Sequence, residues 1–363
     1  GEANELFSLA LALAERVPLV PAPLSKADRG YALFLQTKPA PVRAKPVALA
    51  AEMPPQEAFR AIALACLDQL QRNHALVLTN DDPEYIHQMR VALRRLRAAL
   101  RLFRPVLPTD FTARLLPLAR ELMRPLGKAR DVDVLLAEIA HPVLAALPDE
   151  PRLAALVGVI TERRHAVRQE VLRLLGAPRY GVIVLSLLAS VHGISAPARA
   201  QAVATDGLPA SLPEFAHERL RRLRRQVLAL ARDADAAKPE TLHALRIGIK
   251  RLRYALEFFA PLSAKKKTAR HLEHLAALQE TLGQINDLAN AGALLMECAG
   301  TDQALREAVS LIAGWHGPRY QKLLTAIPRE MAKLGAMTLP KLRDRHRCVT
   351  SATHTAPASK EAG

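Results

Sequence analysis

From Pro54 onward the chain alternates long stretches with apolar residues three and four apart with short breaks at 105–108, Gly127, 148–151, 176–178, 209–213, Pro261 and Gly283. A period near 3.6 predicts amphipathic helices, and breaks this short predict antiparallel neighbours. Residues 1–50 read differently. A short Leu/Ala helix is expected over 5–16, followed by a tract with Pro18, Pro21, Pro23, Pro39, Pro41 and Pro46 that cannot build a core of its own. Residues 343–363 are polar, rich in Ser, Thr and Ala, and without period, which predicts a disordered tail. The expected fold class is all-α.

The pattern also repeats. Residues 84–105, EYIHQMRVALRRLRAALRLFRP, align without a gap on residues 240–261, ETLHALRIGIKRLRYALEFFAP, at an offset of 156. His87 falls on His243, Arg90 on Arg246, Arg94 on Lys250, Arg95 on Arg251, Arg97 on Arg253, Phe103 on Phe259 and Pro105 on Pro261. The same offset carries Leu126-Gly127 onto Leu282-Gly283, Asp131 onto Asp287, and Phe59 onto Phe215. Chance does not hold one register that long. The expected architecture is therefore tandem duplicated antiparallel helical bundles with pseudo-two-fold symmetry. Residues 54–205 form the first copy and 206–342 the second, between an N-terminal segment at 1–53 and the tail at 343–363.

Within each copy the spacing H-x-x-R-x-x-x-R/K-x-x-R returns to one helix face. At about 100° per residue, His87, Arg90, Arg94, Arg97 and Arg101 share a sector of roughly 80° over about 21 Å of helix. The second rail holds His243, Arg246, Lys250 and Arg253, with Glu257 where Arg101 would be, so it is expected to be shorter. Like charges three and four apart destabilise a helix by roughly 0.2–0.5 kcal/mol per pair unless an anion neutralises them. A single basic face is ordinarily solvated surface. Two in one register point to an anionic ligand, and these nine residues are the expected site. Arg95 and Arg251, at the rail edge, and Arg124, Lys128, Arg130 and Arg222, in neighbouring basic clusters, rank second. His87 and His243 either donate to the ligand or orient the rail through the following Asp or a backbone carbonyl; a polyanion nearby would favour their charged form. Asp131 and Asp287 are expected as helix N-caps or as partners that orient arginines.

Charge extends this reading. With 51 Lys plus Arg against 35 Asp plus Glu, the net charge is +16, which calls for nucleic acid, a membrane surface or a phosphate polymer. Aromatic residues make up only 4%, too few for the stacking platforms of single-strand readers, so a plain phosphate chain is favoured over RNA. Binding to a nucleic-acid backbone stays as the competitor. Cys66, Cys298 and Cys348 are scattered and odd in number, which supports neither a disulfide framework nor a zinc site, and a reducing compartment fits best. No apolar run approaches the roughly 18–20 residues of a membrane span, and no basic n-region precedes the Leu/Ala stretch, so a cytoplasmic location is expected. No G-x-S-x-G, Walker A or carboxylate cluster occurs. His271 and His274 have no counterparts in the first copy and read as solvated helix face. No cofactor, no metal and no catalytic activity are expected, with polyphosphate hydrolysis as the alternative.

The duplicated H-x-x-R helix, followed by Leu-Gly-x-x-x-Asp at 126–131 and 282–287, resembles the CHAD family, the histidine-marked α-helical domain. The resemblance covers residues 54–340. It implies two pseudo-symmetric bundles whose basic faces meet in a central groove, inorganic polyphosphate as partner, and association with polyphosphate granules. Residues 1–50 resemble the closing segment of a CYTH triphosphatase domain, and so imply that the chain is a piece of a longer protein. The E-x-E-x-K strand of that domain's catalytic tunnel is absent from this sequence, so triphosphatase activity is not carried over.

Overall fold

The computed structural model describes residues 3–194 and 211–342. Among them every regular element is helical, apart from one isolated bridge between Ser263 and Leu342. The tail at 343–363, with Cys348, lies outside the described residues.

Two short helices come first, α1 (Ala3–Ala14) and α2 (Lys26–Phe34). The second forms inside the Pro-rich tract because Ser25 and Asp28 close a capping box: Ser25 Oγ accepts from the Asp28 amide at 3.1 Å, and the Asp28 carboxylate accepts from the Ser25 amide at 3.0 Å. Then follow α3 (Pro55–Thr79), α4 (Pro83–Leu102), α5 (Phe111–Val134), a π-helical turn (Leu135–Ala140), α6 (His141–Ala146), α7 (Pro151–Gly176) and α8 (Pro178–His192). The rest are α9 (Leu212–Arg232), α10 (Pro239–Phe259), α11 (Lys265–Ala299) and α12 (Gln303–Ala336). Gly127 and Gly283, expected as breaks, lie inside α5 and α11. Their cost of about 1 kcal/mol relative to Ala is offset by tertiary packing.

The two basic segments become α4 and α10, and both open on a proline at the first helical position, where the missing N–H would have no partner anyway. Asp82 caps α4, its carboxylate accepting from the Glu84 amide at 2.8 Å. Each helix closes in a 3₁₀ turn built around a proline, Arg104–Val106 and Ala260–Leu262. The faces opposite the cations are apolar and buried: Ile86, Met89, Leu93, Leu96 and Leu100 on α4, and Leu242, Leu245, Ile249, Leu252 and Leu256 on α10.

One core runs through both halves of the sequence. At its centre Phe103 lies 5.8 Å from Phe59, 5.1 Å from Phe215 and 5.7 Å from Phe259, ring centre to ring centre, and Phe215 lies 6.3 Å from Phe259. These four rings are the two pairs that the 156-residue offset relates. Burying each contributes roughly 1.5–3 kcal/mol, with a further 0.5–1.5 kcal/mol for each well-placed ring pair. A second, smaller core joins Leu136, Ile139, Leu153 and Ile160 to Leu295, Ala308 and Ile312. Helix α1 packs on α8, with the rings of Phe7 and His192 5.4 Å apart. Beside it the Leu19 carbonyl sits 1.8 Å from where a Cβ on residue 181 would lie, so that approach requires Gly181. Among the described residues no single helix is long and apolar enough to cross a membrane.

Candidate functional site

Helices α4 and α10 touch, and their cationic faces open on one cleft of about 550 Å³. Arg90, Arg94, Arg97 and Arg101 line it from α4, Lys250 and Arg251 from α10, and Arg219 and Arg222 from α9. Leu102, Met123, Leu223, Tyr254 and Phe258 contribute apolar surface.

The first Leu-Gly-x-x-x-Asp segment is a seat for a rail arginine. A Cβ on residue 127 would stand 2.5 Å from Arg90 Nη1, so the glycine lets the guanidinium settle onto α5, and Asp131, one turn further on, faces Arg90 Nη2 at 3.6 Å. Gly283 lies beside Arg246 more loosely, with Nε 3.8 Å from the position of a Cβ, an ordinary contact that a side chain would tolerate. Asp131 and Asp287 therefore sit in helix interiors and are not N-caps, and Asp131 orients an arginine.

The cations are poorly satisfied. Nε of Arg94, Arg97, Arg219 and Arg246 is buried and has no hydrogen-bond partner. A buried donor left unmade costs about 1–3 kcal/mol. Burial, followed by Arg246 and Arg94, pushes the Lys250 ammonium down to about 7. Burial and then Arg101 also lower Arg97. Such a cluster persists because the core beneath it holds the helices together, and an anion with several acceptor oxygens relieves it.

The other expected residues are placed as follows. Arg246 acts electrostatically on Arg90, Asp131 and Lys250 but is not among the residues that line the cleft. His87 is held neutral, its value lowered to about 4 by burial and then by Arg130, and its buried Nδ1 has no partner. His243 is exposed and meets neither the Asp nor a backbone carbonyl; its Nδ1 lies 2.7 Å from the side-chain oxygen Asn286 Oδ1. Arg253 does not line the cleft; its Nε donates to Gln279 Oε1 at 3.0 Å and its Nη1 lies 2.9 Å from Glu257 Oε1. Arg95 is buried against α10, paired with Glu257 and lying 5.0 Å over the Phe258 ring. Glu257 thus ties two arginines from two helices, where the sequence pattern read it as a missing rail position. Lys128 and Arg130 face Glu170 at 3.7 Å and Glu138 at 3.5 Å, and Arg124 is exposed and outside the cleft lining.

Arg222 and Arg251 belong to the lining, and Arg219, a member of the same basic cluster as Arg222 that reads from sequence as solvated surface, joins them. Its counterpart at the 156-residue offset is Ala63, so the repeat carried no signal for it. His274, expected on a solvated face, is half-buried, with Nδ1 3.7 Å from Glu330 Oε2. Among the described residues no three His, Cys, Asp or Glu side chains gather as a metal site.

The family model of the CHAD domain matches residues 61–296. The chain belongs to the CHAD family. The crystal structure of the CHAD domain from the plant Ricinus communis is similar to it at 36% identity and a TM-score of 0.71, over 84% of this chain and 99% of that one. PptA from Streptomyces chartreusis shares the fold at 14% identity and a TM-score of 0.58, over 80% of this chain and all of that one. No curated protein matches the sequence closely enough to count as a relative. CHAD domains are as a family linked to polyphosphate binding, so the cleft of this CHAD chain can be weighed against that ligand's chemistry.

Proposed function

We propose that this CHAD chain binds inorganic polyphosphate non-covalently along the cleft between α4 and α10, with α9 as its third wall. The observation that carries this reading is the convergence of buried, unpartnered arginine Nε donors, on Arg94 and Arg97 from α4 and Arg219 from α9, on one cleft beside a lysine whose charge the site itself opposes. Polyphosphate offers about one negative charge per internal unit and only oxygen acceptors. Arginine forks and a lysine point charge answer that chemistry. The carboxylates beside the rails are occupied in holding other groups: Asp131 faces Arg90, and Asp287 accepts from Asn286 Nδ2 at 3.2 Å. Their engagement favours binding over hydrolysis.

At equal phosphate concentration the protein should bind polyphosphate more tightly than single-stranded RNA, with affinity falling steeply as salt rises. Incubation with polyphosphate and Mg²⁺ or Mn²⁺ should release no phosphate beyond a heat-killed control. Equal or tighter RNA binding would transfer the site to nucleic-acid backbones, and turnover abolished by one Asp or Glu substitution would make the protein an enzyme.

Affinity should also depend on pH through Lys250. Free, it titrates near 7; a bound polyanion raises that value, so binding takes up a proton above it. Affinity is then complete below about pH 7 and declines as the pH rises from there towards the bound-state value. Lys250→Arg stays charged throughout and should flatten the slope between about pH 7 and 9. Titration calorimetry in buffers of different ionisation enthalpy reads the proton uptake, and a slope equally steep in both proteins would remove Lys250 from the site.

A further inference from the structure

The duplication places the same two positions on both sides of the α4–α10 pair, and the two sides have been put to different uses. On one side the positions are Glu257 and Arg95, which neutralise each other over the Phe258 ring. On the other side their equivalents are Arg101 and Arg251, two cations in one cleft. The third wall differs in the same sense. Helix α9 supplies Arg219 and Arg222, where the equivalent positions of α3 hold Ala63, fully buried, and Cys66, nearly so. None of Arg101, Arg219, Arg222 and Arg251 forms an ion pair among the described residues. At the other end of the rail, by contrast, Asp131 stands beside Arg90.

We propose that the corner formed by Arg101, Arg219, Arg222 and Arg251 captures a terminal phosphoryl group, the dianionic end of an oligo- or polyphosphate, and that the chain runs from there along α4 towards Arg90. This rests on the reading of the cleft as a polyphosphate site. An internal phosphate carries about one charge, while a terminal one, with a second pKa near 6, approaches two at neutral pH. No carboxylate lines the cleft at this corner, where the one acting on Arg219 is Glu218 on its own helix, so its charge density matches the end of a chain better than the middle. Tyr254 adds an independent sign: its side chain is 3% exposed, it lines the cleft, and its buried hydroxyl has no partner. A terminal phosphoryl presents one more free oxygen than an internal unit, and that hydroxyl can donate to it. The last lining residues on α4 and α10 are Leu102 and Phe258, which offer a continuing anion no donor.

The test compares long polyphosphate of one length with its ends free and with both ends capped as phosphoramidates, a change negligible in total charge. Free-ended chains should bind about tenfold more tightly or better. The double variant Arg219→Gln with Arg222→Gln, and independently Arg251→Gln, should bring the two forms to the same affinity. These side chains lie outside the core, and an unchanged helical circular dichroism signal certifies the fold. Linear tripolyphosphate should compete at the corner, and cyclic trimetaphosphate, which has no end, should not. Tripolyphosphate should lower the affinity of the free-ended chain to that of the capped one, and tripolyphosphate that leaves the preference intact counts against end capture. Equal affinity for capped and free-ended chains in the parent protein, or a preference that survives all three substitutions, overturns end capture and leaves the groove standing. Failure of both forms to bind overturns the groove reading itself.

Discussion

Lys250→Glu should weaken binding of long polyphosphate by about a hundredfold to a thousandfold while raising the melting temperature. The two effects have one origin. Lys250 is half-buried and surrounded electrostatically by Arg246, Arg94, Arg90 and Arg253, which together with its burial disfavour its charge. Because its value in the folded chain lies below the usual lysine value, the charged lysine costs stability at and below about pH 7, and removing it returns that cost. A carboxylate in its place attracts the same arginines. For the ligand the change is doubly unfavourable: a charge-assisted contact worth about 1.5–3 kcal/mol is lost and a repulsion is gained. Thermal unfolding and equilibrium binding on one preparation read both. Affinity that survives while stability rises would mean that the ligand does not reach this cluster, and a fall in both would mean that Lys250 is structural. The opposed signs separate loss of the ligand from loss of the fold.

Phe103→Ala should cost about 3–5 kcal/mol, the range for deleting a buried aromatic ring, and should lower the stability of the whole chain together. Phe103 is fully buried and touches rings from α3, α9 and α10, so its removal opens a void at the point where both halves of the sequence meet. Trp315, the single tryptophan, sits on α12 in the second half and reports that half by fluorescence, while circular dichroism reports all helices. In urea the two signals should move to a lower midpoint in step. A Trp315 transition that stays in place while part of the helical signal shifts would mean that the halves unfold separately.

The sequence carried the helices because their apolar period survives in every long element, and it carried the cationic face because steps of three and four return to one side of a helix. It also related Phe59 to Phe215 and Phe103 to Phe259, yet the repeat names equivalent residues without saying which of them meet. That depends on how α4 crosses α10, which the packing of the core sets. The same gap explains the fates of Arg95 and Arg101. They lie six residues apart on α4, but one is buried against Glu257 and the other lines the cleft. Arg219 had no equivalent in the first copy and so stood outside the pattern. Gly127 was legible as a glycine but not as a seat, since local propensity reports the cost of a glycine and not what the missing side chain makes room for. The capping box at Ser25 was a local signal hidden by the prolines around it.

The glycine seat under Arg90 bears on how binding proceeds. A free arginine side chain carries about 2 kcal/mol of rotamer entropy, and a surface arginine forfeits part of it whenever it grips an anion. Arg90, pressed into the space over Gly127 and steadied by Asp131, has surrendered that freedom during folding. The ordering that a flexible basic tail must undergo on contact is here completed in advance, at the expense of the fold. Arg90 consequently presents its donors from one fixed place beside the row, so an anion that reaches it meets a group already ordered.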